Sequence, residues 1–137
     1  MKKLILKRRT IEVVPYNHDV TVILTTDIKR AVLKLKGELG DDIITRIKPN
    51  MHALTVFSDG NSNIFIFLEM KPDVGTLVHE VYHAVDFILR DAGVKNDPHV
   101  NDETWAYHLG DLTRQVIKFY HHANSKGKFS TNNRAKT

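Results

Sequence analysis

The chain has 137 residues and no cysteine, which allows one domain with its own hydrophobic core and excludes disulfides and thiolate metal ligands. No apolar run reaches the length of a membrane span, and the basic opening Met1–Arg9 holds only three apolar residues before more charge, too few for a signal peptide. The chain is therefore expected in the cytoplasm, with no membrane partner.

The net charge of +4 is carried at the ends. Residues 1–9 hold five basic groups and no acid, and residues 122–137 hold four and no acid. Residues 10–121 carry the remaining 11 basic groups and all 16 acidic ones, a net of −5. A nucleic-acid face would place basic charge on the folded body, so nucleic acid is not an expected partner.

Along the chain, Thr10–Tyr16 reads as a strand or extended arm, with Pro15 against a central position in a sheet. Asn17-His18-Asp19 reads as a turn, and Val20–Thr25, β-branched and apolar, as a strand. Thr26 or Asp27 then caps a helix whose apolar positions are Ile28, Ala31, Val32, Leu35 and Leu39, stopped by Gly40. Asp41–Asn50 is ambiguous. His52–Phe57 and Asn63–Met70 read as a hairpin around the turn Asp59-Gly60-Asn61-Ser62. Asp73 is a possible N-cap for a helix ending near Gly93. After a loop containing Pro98, a last helix starts near Asn101 or Asp102, with Trp105, Leu109, Leu112, Val116 and Phe119 as its apolar stripe. The expected architecture is α+β, a small sheet with helices packed against it. Residues 1–122 form the domain and residues 123–137 a flexible basic tail.

Chemistry concentrates in Val74–Arg90. There His79-Glu80-Val81-Tyr82-His83 forms H-E-x-x-H, and histidines at i and i+4 lie one above the other on a helix face. Two imidazoles so placed can grip one metal, and the adjacent glutamate can serve as a base. Leu77, Val78, Val81, Ala84, Val85, Ile88 and Leu89 fall in one arc at the helical angle, with His79 and His83 nearly opposite. The pair therefore faces solvent unless another element covers it. The layout suits a metal cleft, although a polar face can also be merely solvated. Zinc held without thiolates needs a third His or carboxylate. The candidate is Glu103, at the opening of the last helix. It shares a face with Ala106, Tyr107 and Gly110, the small residues allowing close approach to the motif helix.

These residues resemble the gluzincins, zincin metallopeptidases whose third ligand is a downstream glutamate. The run G-T-L-V-H-E-V-Y-H-A-V-D-F followed by D-E-T-W-A-Y is also similar to small zincin-like proteins encoded by bacteriophages, which would place the chain in a host cytoplasm. The resemblance covers roughly residues 52–120. It implies a minimal zincin-like fold, Zn²⁺ held by His79, His83 and Glu103, and Glu80 as general base. It also implies a peptide or protein substrate paired along an edge strand at Asn63–Met70. In gluzincins an aspartate often stands four residues after the ligand glutamate. Tyr107 occupies that position here, so either Asp86 or Asp111 orients a ligand histidine or the site is tuned differently. Tyr107, His99 and His108 remain alternatives for stabilising an oxyanion.

The expected function is zinc-dependent peptide hydrolysis, with Glu80 as base and Tyr107 as a further catalytic candidate. The alternative is a non-catalytic zincin-like metal-binding protein acting through a protein or nucleic-acid surface.

Overall fold

The computed structural model describes residues 2–57, 62–97 and 99–136, with side chains described as far as Ser125. The expected turn at Asp59-Gly60-Asn61 and the loop position Pro98 lie outside the described residues, as do the side chains of most of the expected tail.

Strands β1 (Leu6–Val13) and β2 (His18–Thr25) form an antiparallel hairpin. Helices α1 (Ile28–Lys34) and α2 (Lys36–Leu39) and a 3₁₀ helix (Asp41–Arg46) lead to strands β3 (Ala53–Val56) and β4 (Asn63–Glu69). Helices α3 (Val74–Asp91) and α4 (Asp102–Lys136) follow. The sheet order is β1-β2-β4-β3, with β2 and β4 parallel and β3 antiparallel to β4. The fold is mixed α and β, a four-stranded sheet with helices on both faces.

β4 is apolar from Ile64 to Leu68, and β2 combines Val, Ile and Leu with the buried Thr21 and Thr25, because both faces of these inner strands are covered. Val20, Val22, Leu24, Ile64, Ile66 and Leu68 point towards α3 and α4, while Ile23, Phe65 and Phe67 point towards α1, α2 and the 3₁₀ helix. Two apolar layers therefore lie back to back through the sheet, each built by alternate residues of the same strands.

β1 starts four residues before the expected Thr10 and takes in Lys7, Arg8 and Arg9. An edge strand accepts such charges because their long stems cover apolar surface while their heads reach out. Arg9 lies over the Phe119 ring of α4 at 5.3 Å, and Lys7 Nζ donates to the Ala123 carbonyl at 2.8 Å. On the opposite face Arg8 pairs with Glu38 at 3.2 Å. His18, expected in a turn, instead begins β2. It is buried, its Nε2 is 2.8 Å from Asp91 Oδ2, and its Nδ1 is 3.1 Å from the Ser62 carbonyl. This contact ties the start of β2 to the last residue of α3.

The motif helix is capped at both ends. Asp73 accepts from the Thr76 N–H at 3.2 Å. At the other end Gly93, with φ of +80°, lets its N–H reach the Arg90 carbonyl and lets Val94 N–H reach that of Leu89. The expected helix over Ile28–Leu39 breaks at Leu35 into α1 and α2, with Asp27 as its N-cap and Gly40 as its stop. In α4, Ala123 is buried and Asn124 Nδ2 donates to the Met70 carbonyl at 2.7 Å, so packing continues past His122.

Candidate active site

α3 lies across β4 and β3 with the expected apolar arc buried except for the half-buried Val78, and Glu80 is buried with it. Glu80 shares a face with Leu77 and Ala84, three and four residues away, and that face meets β3. The Thr55 hydroxyl lies 2.5 Å from Glu80 Oε2 and 3.1 Å from the Glu80 carbonyl oxygen. A hydroxyl has one proton, and the carboxylate at the shorter distance takes it, a charge-assisted bond.

One residue earlier and three later, His79 and His83 stand on the exposed side of α3. Their Nε2 atoms are 3.1 Å apart, with the rings edge to face at 4.7 Å between centroids. Two imidazole nitrogens on one tetrahedral zinc, each at ~2.0–2.1 Å, stand roughly 3.3–3.4 Å apart. The pair therefore fits a two-point grip on a metal with a shift of a few tenths of an ångström. The same separation suits one imidazole N–H donating to the other ring. Among the described residues nothing covers the pair enough to bury it.

Beside the pair lies an open cleft of about 260 Å³, lined by Arg46, Leu54, Thr55, Phe57, Glu80 and His83. Phe57 stacks on Phe87 of α3, with ring centroids 4.4 Å apart, which fixes the end of β3 against the helix. Arg46, the last residue of the 3₁₀ helix, donates from Nη2 to the Thr55 carbonyl at 3.3 Å. Thr55 thus holds Glu80 through its side chain and Arg46 through its backbone.

Two expectations about this region are corrected. The sheet edge beside the motif helix is β3, because β4, expected there, is paired on both sides. The helix face bearing Glu103, Ala106, Tyr107 and Gly110 does not meet α3. All four residues are exposed, and a methyl group at Gly110 would meet no atom within 4 Å. Trp105 packs towards α3 instead, its ring 6.2 Å from that of Tyr82, because burying an indole outweighs the close approach that small residues permit. Glu103, two residues from Trp105, is about 200° around the helix from it.

The structure consequently brings His83 and Glu80 to one cleft with His79 beside them, and does not gather Glu103 there. Among the described residues no group of three or more His, Asp or Glu side chains is assembled as metal ligands. Tyr107 is 66 % exposed and stacks edge to face on its neighbour His108. His108 lies against Tyr16, in a hollow shared with Val13, Val85 and Asp111, and burial pushes its pKa below the ordinary histidine value while Asp111 opposes this. His99 is exposed in the loop before α4. The aspartates expected to orient a ligand histidine are engaged on their own helices. Asp86 accepts from Arg90 Nε at 2.7 Å, which raises the arginine's pKa, and Asp111 accepts from Gln115 at 2.9 Å. Sequence reasoning missed Arg46 and Thr55, which sit in short elements without periodicity.

The chain matches no protein-family model, no curated protein and no solved structure. No helix among the described residues is long and apolar enough to cross a membrane.

Proposed function

We propose that the protein is a metal-dependent hydrolase, most specifically a peptidase, with His79 and His83 holding zinc and Glu80 as general base. The observation that carries this reading is the convergence of the two Nε2 atoms to 3.1 Å beside a cleft that Glu80 also lines. Bound to the pair, zinc would polarise a carbonyl and acidify water. Glu80 takes the proton of the attacking water and returns it to the leaving amine. Thr55 holds the carboxylate in one orientation and shields one oxygen, leaving the other for proton transfer. The β3 edge supplies backbone groups along which an extended chain can lie. Glu103 stands away from the pair, so the two histidines are the protein ligands on which this reading rests.

A second reading is favoured by two observations. Glu80 is held by Thr55, and Glu103 stands away from the histidines. A metal-binding protein that acts through its surface needs neither a free base nor a full catalytic ligand set.

Glu80→Gln separates the two readings. The hydrolase reading expects metal content within error of wild type and a loss of peptide cleavage by several orders of magnitude, read by mass spectrometry on a random peptide pool. Cleavage by neither protein, or equal cleavage by both, overturns it.

A further inference from the structure

We infer that Arg46 is a specificity-determining residue that captures a carboxylate of the ligand lying in the β3 cleft. The inference rests on the hydrolase reading for the use of that cleft, and adds to it the chemical class of the ligand.

Three observations carry it. Arg46 is exposed and lines the cleft with Glu80 and His83, so its charge faces the same space as the proposed chemistry. The one hydrogen bond of its side chain among the described residues is the 3.3 Å contact to the Thr55 carbonyl. A guanidinium has five N–H donors in a planar fork, so this contact orients the group and leaves most of the fork unused. Finally, no carboxylate pairs with Arg46 among the described residues, whereas Arg8, Arg90 and Arg114 each pair with one. Glu80, which lines the same cleft, is bound by Thr55.

An oriented guanidinium that lines a cleft and is unpaired among the described residues matches a carboxylate, which it meets with two parallel N–H···O bonds. That carboxylate has two possible sources, the free C terminus of a peptide or an Asp or Glu side chain within one. A chain bound along β3 would then have its carboxylate at Arg46 and a peptide bond towards His83 and Glu80. Lysine would retain the charge and lose the fork.

The test reads binding without turnover. ¹⁵N-labelled protein, kept in chelator so that no metal contributes, is titrated with three N-acetylated tripeptides. One ends in a free carboxylate, one is its C-terminal amide, and one is an amide with glutamate at the second position. The expected result is movement of the Arg46 Nε–Hε and Thr55 amide signals with one or both carboxylate probes, at least tenfold weaker with the neutral amide. Which acidic probe acts identifies the source. Arg46→Ala removes the preference, and Arg46→Lys, checked for unchanged melting, restores part of it. No binding by any probe, equal binding of acid and neutral amide, or a preference that survives Arg46→Ala overturns the inference. Because no metal or cleavage is involved, failure of the hydrolase reading leaves these outcomes separately readable.

Discussion

The hydroxyl of Thr55 donates to Glu80 Oε2 across 2.5 Å, joining the edge strand of the sheet to the carboxylate inside the H-E-x-x-H run. Thr55→Val keeps the shape and removes the donor, leaving a buried carboxylate without it. Stability is expected to fall by about 1–3 kcal/mol, read by urea unfolding. Thr55→Ser should lose much less. Combining Thr55→Val with Glu80→Leu should give less than the sum of the single effects, because the two share one interaction. Additive losses would mean that the bond contributes nothing.

Gly110 tests the placement of α4. The residue is helical and exposed, with open space where a methyl group would stand. Gly110→Ala is expected to raise stability by roughly 0.5–1 kcal/mol, through helix propensity and a less flexible unfolded chain. If the face bearing Glu103 and Gly110 packed on α3, as the small residues alone suggest, the same change would lower stability. Thermal or urea unfolding decides the sign.

Trp105 makes the complementary prediction. It is buried where α4 meets α3, so Trp105→Ala should cost about 3–5 kcal/mol. A loss below about 1 kcal/mol would contradict this packing.

The sequence carried the elements whose patterns are strong. Val20–Thr25 is read as a strand because it is β-branched and apolar, Ile64–Leu68 because it is apolar throughout, and the strip from Leu77 to Leu89 is read as a helix face because its spacing is regular. Asp73 and Gly93 mark the ends of that helix by capping chemistry that is local in sequence. What was not legible depends on tertiary choice. The stripe of α4 contains Trp105, and the face two residues before it contains Glu103. Only packing decides which of the two meets α3. Edge position was also hidden, since β4 and β3 differ in neighbours rather than in local pattern. His18 reads as a turn residue by its neighbours Asn17 and Asp19, and its pairing with Asp91 spans most of the domain. The histidine pair was legible, because i and i+4 spacing fixes it within one helix. The cleft was not, because Arg46 and Thr55 reach it from separate short elements.

His108 gives a pH dependence. Burial lowers its pKa, so the unfolded chain binds a proton there more readily than the folded one. Its contribution to stability is fully present above the ordinary value of about 6.5 and is lost as pH falls from there to the lowered folded value. The drop in stability between pH 7.5 and 5 should therefore be smaller in His108→Gln than in wild type. A drop of the same size in both would remove His108 as its source.

The central claim is that His79 and His83 hold a metal ion as a pair, and zinc titration of the purified protein followed by calorimetry tests it most directly. The account predicts about one equivalent bound per chain, abolished by His79→Ala and by His83→Ala and retained by Glu80→Gln. Absence of zinc binding by the wild type, or binding that neither histidine substitution changes, would contradict it.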